Sequence, residues 1–193
     1  MGQIGGTGLE PNPANDTRVA FNPASKLRFG PESLWGAKRR WVVGITVRSV
    51  GPQDETRWRE LFEGYCLFYE RDPSDVLTTY TWTRIMDSAV PVHAIVAEHA
   101  ADGVIGIANY LIHEHTLGLT PACYLADLFV DPARRGAGVG KQLIEWLADE
   151  MKRNGWSRLY WHTRLNNYRA RGLYDKFTSH SDFVRYTMYG RPV

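Results

Sequence analysis

The sequence predicts an α/β domain, a mixed sheet with helices packed on its faces. Three observations carry that reading. Runs of β-branched and aromatic residues alternate along the chain with stretches whose apolar positions recur every three to four residues. Two of the strand-like runs meet through Ala101-Asp102-Gly103, a hairpin turn. A third, Cys123–Val130, leads through a proline turn and a cluster of glycines directly into an amphipathic helix.

The elements follow in order. Trp41–Val50 is β-branched and alternating, with Ile45 and Val47 on one face, and reads as a strand. Pro52-Gln53-Asp54-Glu55 opens a helix, because a proline fits the first turn and acids suit its positive end. Trp58, Leu61, Phe62 and Tyr65 then recur at helical spacing, and Phe68 and Tyr69 continue the stripe. A second helix follows Asp72-Pro73. Val92–Glu98 and Val104–Ile112 form the antiparallel hairpin, His113–Pro121 a loop, and Cys123–Val130 the next strand. A helix from about Val139 carries the ridge Val139, Leu143, Leu147 and Met151, and stops at Asn154-Gly155, a left-handed cap. Ser157–His162 is a strand, Asn167–Phe177 a short helix and Phe183–Tyr189 a last strand.

Composition sets the class. At 193 residues the chain is one domain with a surplus, and the surplus lies at the front. Residues 1–40 are rich in Gly, Pro and Asn and keep no apolar period, so they are expected to form a flexible N-terminal arm ahead of a domain spanning 41–193. The arm has neither the apolar core of a secretory signal nor the pattern of a transit peptide. A net charge of +2 argues against a nucleic-acid partner. No apolar run is long enough to span a membrane. Two distant cysteines, Cys66 and Cys123, give no metal site and no disulfide framework, which fits two thiols in a reducing cytoplasm.

The segment richest in chemistry is Arg135-Gly136-Ala137-Gly138-Val139-Gly140-Lys141. Glycines just before a helix let the backbone approach a ligand. The unpaired N–H groups of the first turn then face an anion, aided by the helix dipole. A phosphate loop of the G-x-x-x-x-G-K-[ST] type fails here, since its first glycine would be Arg135 and its magnesium-binding hydroxyl Gln142. A dinucleotide fingerprint starting at Gly136 fails because its third glycine would be Lys141. The spacing Arg135-x-x-Gly138-x-Gly140 after a strand remains. About thirty residues on, Asn167 is followed seven positions later by Tyr174, in a helix whose stripe is Ala170, Leu173, Tyr174 and Phe177. Packing accounts for Leu173 and Phe177. It does not account for a phenol at 174, which needs a hydrogen-bond partner when buried.

With these two motifs in this order the chain resembles the GNAT superfamily of acetyl-CoA-dependent N-acyltransferases. The resemblance covers about residues 44–189 and is densest at 122–177. Within the superfamily, Tyr124–Pro132, Tyr160–Thr163 and Leu173–Lys176 are similar to the branch acting on spermidine and spermine and to its yeast relatives acting on histones, polyamines and D-amino acids. The resemblance implies a mostly antiparallel, twisted sheet with helices on both faces. It implies acetyl-CoA as co-substrate and no metal. The pyrophosphate would lie on Arg135, Gly136, Ala137, Gly138, Val139, Gly140 and Lys141, the pantetheine arm along Leu128, Phe129 and Val130, and Asn167 would complete the cofactor site.

The implied chemistry is attack of an amine on the thioester carbon. An alkylammonium with a pKa near that of lysine lies about 3.4 units above pH 7, so presenting it neutral costs roughly 4.6 kcal/mol. A base is therefore useful. In the related branch the strand reads Leu-Glu-Asp, whereas here it reads Leu125-Ala126-Asp127. The Glu position is empty of a carboxylate, which leaves Asp127, or one of Glu70, Glu114, His113 and His162, to take the amine proton. Tyr174 stands where the family protonates the leaving thiolate, so Tyr174 and Asp127 are the expected catalytic pair. The acceptor is expected to be a small-molecule amine such as a polyamine or amino acid. A protein acetyltransferase and a non-catalytic acyl-CoA-binding module stay open as alternatives. The frequency of dimers in this superfamily and among soluble proteins leans toward a homodimer.

Overall fold

The computed structural model describes residues 44–190. The expected arm over 1–40 lies outside the described residues.

Five strands form one sheet in sequential order. They are β1 (Ile45–Ser49), β2 (Val92–His99), β3 (Gly103–His113), β4 (Ala122–Val130) and β5 (Leu159–Trp161). The first four run antiparallel to their neighbours, and β5 joins β4 in parallel through the helix between them. The hairpin falls where the turn residues put it, with Gly103 at a φ of 68°. Among the described residues four α-helices complete the fold: α1 (Glu55–Phe68), α2 (Asp75–Met86), α3 (Val139–Asn154) and α4 (Tyr168–Tyr174).

Helices cover both faces. On one, Leu143, Ile144 and Leu147 of α3 pack with Ile95, Ile105, Cys123 and Leu125 of the sheet, and α4 adds Leu173 and Tyr174. On the other, Trp58, Leu61 and Phe62 of α1 and Trp82 of α2 pack on Val96, Ile107 and Phe129. Each fully buried Leu or Ile stabilises the fold by roughly 1.5–3 kcal/mol. The caps follow the sequence signals. Ser74 accepts from the Leu77 amide at 3.3 Å to start α2, and Gly155 ends α3 at a φ of 65°.

One acid of the first turn does a second job besides the one its position suggests. Asp54 is buried, and its carboxylate takes two bonds from Arg48 at 2.7 and 2.9 Å and one from the Gly51 amide at 2.8 Å. Arg48 also reaches Glu98 of β2 at 2.8 Å. The pair thus bolts the start of α1 to the sheet, and the Arg48 guanidinium holds the Asp54 carboxyl below its usual range.

The expected last strand over Phe183–Tyr189 does not form. Phe183, Val184, Tyr186, Met188 and Tyr189 are 73–98% exposed. An alternating pattern makes a strand only when an edge and a covered face are available. The strand beside which it would lie, β5, is three residues long.

Gln142 breaks the apolar face of α3. It is 2% exposed, and neither its amide nitrogen nor its oxygen has a partner. A buried polar group left unpaired costs about 1–3 kcal/mol. Gln142→Met, of similar shape, should therefore raise the unfolding free energy by about that amount. Denaturant unfolding of both proteins checks this, and an unchanged or lower midpoint would refute it.

Candidate active site

The glycine turn owes its shape to residues that tolerate positive φ. Gly136 sits at 91° and Gly138 at 77°, and α3 begins at the next residue. A β-carbon at Gly136 would meet nothing within 4 Å, so the turn faces open space. A β-carbon at Gly140 would lie 3.2 Å from Leu173, so this glycine lets α4 approach α3 closely.

Beside the turn, β4 pairs with β5 only over Cys123–Leu125. Past that point lies a cavity of 430 Å³, within the range of small-molecule sites. Its wall includes Leu128, Phe129 and Val130 of β4, then Arg135, Gly136, Gly138, Val139, Gly140 and Lys141, then Asn167 and Tyr174. Of the residues expected to hold the cofactor, Ala137 alone is not part of this wall. The wall also carries Phe68 and Tyr69 from the end of α1 and the cations Arg134, Arg169 and Lys176, which the motifs did not single out. Among the described residues no carboxylate lines it.

Several of these side chains have structural duties. Arg135 donates from Nε to the Val130 carbonyl at 3.0 Å and lies 5.1 Å over the Phe129 ring, tying the turn to the end of β4. Asn167 caps α4 by accepting from the Ala170 amide at 3.4 Å, while its amide nitrogen donates to Thr163 at 3.0 Å. Lys141 pairs with Glu145 at 2.6 Å. Tyr174 packs against Trp161, and burial pushes its hydroxyl up to about 12.

Asp127 lies apart from the cavity wall, on the α1 side of β4. The β3–β4 register shifts beyond Asn109: Asn109 faces Asp127, but Tyr110 faces Leu125, which leaves Ala126 unopposed. This bulge puts Tyr124 and Asp127 on the same side of the strand. The Asp127 carboxylate accepts from the Asn109 amide at 3.0 Å. Asn109 in turn accepts from the Trp58 indole at 3.0 Å. Tyr65 donates to the freed Ala126 carbonyl at 3.3 Å and lies beside the same carboxyl. Burial raises the Asp127 pKa, against the opposing pull of Asn109, Tyr65 and Arg71.

Among the other proton acceptors, Glu70 and Glu114 are exposed, and Arg164 lies 3.7 Å from Glu70. His113 is bonded to the Tyr160 hydroxyl at 3.0 Å. His162 lies 3.4 Å from the Tyr124 hydroxyl, and burial together with Arg185 lowers its pKa. Tyr65, Tyr69, Tyr124 and Tyr160 thus form an aromatic wall beside Asp127. Sequence reasoning missed Asn109 and Trp58. Their types suit a strand interior and a helix core, and nothing in their spacing connects them.

Residues 56–178 match the acetyltransferase (GNAT) family, and the chain belongs to that family. The D-amino-acid N-acetyltransferase HPA3 of Saccharomyces cerevisiae is 32% identical over 147 residues, covering 76% of this chain and 91% of the relative. The chain is an N-acetyltransferase. Many solved structures share its fold, two of which serve as examples. The ribosomal-protein-alanine N-acetyltransferase of Brucella melitensis biovar Abortus 2308 superposes with a TM-score of 0.65 at 19% identity, over 76% of this chain and 99% of its own. AAC(6')-Iy, solved with the bisubstrate analog CoA-S-monomethyl-acetylneamine, also gives 0.65, at 21% identity over 76% and 98%. Among the described residues no helix is long and apolar enough to cross a membrane, and no three potential metal ligands gather.

A carboxyl whose folded pKa is raised stabilises the native state only while it is protonated. That contribution falls as pH rises from the unfolded value through the folded one. Asp127→Asn should therefore melt higher than the parent protein at pH 7 and show no such gain at pH 3.5. Thermal melts of both proteins at the two pH values check this. A lower melting temperature at pH 7 would show that the charge itself holds the site together.

Proposed function

We propose that this enzyme moves the acetyl group of acetyl-CoA to the amine of a small molecule by direct attack in a ternary complex, and that its preferred acceptor class is the amino acids. One observation carries the reading. A carboxyl set beneath the surface at Asp127 stands on the same strand as a cation-lined cavity whose wall ends in the phenol of Tyr174. The residues fit coenzyme A. Two left-handed glycines, an open turn at a helix start and several cations suit a pyrophosphate.

The thioester supplies an activated acyl carbon; the chain supplies proton movement and position. Asp127, ionised, takes a proton from the acceptor's ammonium. Tyr174 keeps its proton at neutral pH and gives it to the departing sulfur as the C–S bond breaks. The nitrogen sheds its second proton to solvent on becoming an amide, Asp127 releases its proton likewise, and the Tyr174 phenolate regains one from solvent. Low-polarity surroundings raise thiols as they raise phenols, so a sulfur leaving beside Tyr174 is disposed to take its proton. Direct attack is supported by the state of the cysteines. Both Cys66 and Cys123 are buried, burial raises both thiols, and neither lines the cavity, so neither suits an acyl-enzyme.

The acceptor class rests on charge. Arg71 acts on Asp127, Arg185 acts on Tyr124 and His162, and Arg164 lies 5.2 Å over Tyr69. Three arginines against two carboxyls, Asp127 and the exposed Glu70 beside Arg164, suit a molecule bearing an ammonium and a carboxylate better than a polyamine. HPA3, whose name specifies D-amino acids, agrees with that choice.

The test is steady-state kinetics with acetyl-CoA against D- and L-amino acids, polyamines and a histone-tail peptide. Intersecting initial-velocity lines and highest kcat/KM for amino acids are expected; parallel lines, or a preference for polyamine or peptide, would overturn the reading. Two variants sharpen it. Gly138→Asp should weaken acetyl-CoA binding more than tenfold, measured by calorimetry with folding checked by circular dichroism. Tyr174→Phe should lower kcat by about 10²–10⁴-fold, as loss of a positioned acid does, with little change in acetyl-CoA Kd. A Tyr174→Phe protein within threefold of the parent in kcat would remove the phenol from the mechanism.

A further inference from the structure

We propose that Asn109 is a positioning residue for acetyl transfer, clamped by Trp58 so that it binds one oxygen of Asp127 and leaves the other for the acceptor's ammonium. The proposal rests on Asp127 being the amine's proton acceptor.

The geometry leaves the amide one orientation. An indole N–H only donates, so the atom of Asn109 facing Trp58 at 3.0 Å must be its oxygen. The amide nitrogen then points the other way, to Asp127 Oδ2 at 3.0 Å. Neither Trp58 nor Asn109 is free to move. Trp58 is 0% exposed, stacked on Phe62 at 4.9 Å and packed on Trp82 at 5.1 Å, and Asn109 is 2% exposed in the interior of β3. Asp127 is partly accessible. Its bonded oxygen is tied inward through Asn109 to Trp58. The Tyr65 hydroxyl is the second protein donor beside this carboxyl, and it also donates to the Ala126 carbonyl at 3.3 Å, so Oδ1 keeps lone-pair capacity for a ligand.

The amide does a second thing. A hydrogen bond to a carboxylate favours the charged form, so it offsets part of the burial that would keep Asp127 protonated. The other groups facing this carboxyl are Tyr65 and Cys66 of α1, Arg71 after it, and Tyr124 of β4. Arg71 is the one positive charge in that set. The amide is the one neutral donor that is both fully buried and fixed by a second hydrogen bond.

The experiment is the pH profile of kcat/KM for the parent, Asn109→Leu, Trp58→Phe and Asp127→Asn, with circular dichroism and acetyl-CoA Kd measured for each. A hydrogen bond to a charged group is worth enough to move a pKa by about one to two units. The acidic limb of Asn109→Leu should therefore rise by that much, kcat at pH 8 should fall ten- to hundredfold, and acetyl-CoA Kd should stay within twofold. Trp58→Phe keeps the ring, releases the amide, and should shift the limb the same way by a smaller step. A purely structural role would lower the melting temperature of both variants and leave the limb in place, and that result overturns the proposal. If Asn109→Leu does not fold, the limb of Trp58→Phe decides alone. Asp127→Asn separates the two levels of the argument. If it stays active, the underlying reading of Asp127 fails. If it is inactive while Asn109→Leu keeps the parent profile, only the positioning role fails.

Discussion

The unopposed residue Ala126 is the constraint from which the site follows. Strict alternation from Cys123 and Leu125 would send the side chain at 127 into the apolar layer under α3, where a carboxylate has no partner. The bulge resets the phase. Leu128 and Val130 pack with Cys123 and Leu125 on the α3 side, while Tyr124, Asp127 and Phe129 face α1. A bulge disrupts the ladder locally, and the Tyr65 hydroxyl recovers one of the freed groups by donating to the Ala126 carbonyl. Ala126 thus contributes its backbone rather than its side chain.

The same strand organises the cofactor side. Pairing between β4 and β5 lasts three residues, and the cavity lies past its end. The motif residues hold that opening in shape. Gly136 and Gly138 supply the left-handed turns, Gly140 admits Leu173, and Arg135 ties the turn to Val130. Asn167 contributes by starting α4, which carries Tyr174. A pattern read as ligand-binding is therefore also a pattern of caps and close approaches. Substitutions at Arg135 or Asn167 would move the walls as well as any direct contact.

Local signals sufficed for most of the fold. The period of α1 and α3, the hairpin at Gly103 and the cap at Gly155 are decided within a few residues, and each element appears within a few positions of its expectation. Where the outcome depended on distant partners, local signals failed. Phe183–Tyr189 alternates well but has no long edge to join. Asp54 stands at the helix start as the sequence suggests, but its tie to Arg48 of β1 is not legible locally. The bulge is invisible because Leu125-Ala126-Asp127-Leu128 alternates acceptably in either phase. Asn109 could be found only by knowing which residue of β3 lies across from Asp127.

Asp127 and Tyr174 stand on opposite sides of β4, and this bears on how one reaction could use both. Asp127 faces α1, whereas Tyr174 packs with Trp161 on the α3 side. A paired strand between them would separate proton acceptor from proton donor. Past Leu125 that pairing has ended, and Tyr69 reaches both sets: it lines the cavity, packs at a tilt on Tyr65 at 4.9 Å and acts on the hydroxyls of Tyr124 and Tyr174. Under the proposed chemistry, the acyl carbon would sit in that opening, with the amine arriving from the Asp127 side and the sulfur leaving toward Tyr174. The two proton transfers would then occur on different faces, and each group would be reset through solvent on its own side. Separation also keeps the raised carboxyl and the raised phenol from titrating each other, which a shared pocket would force.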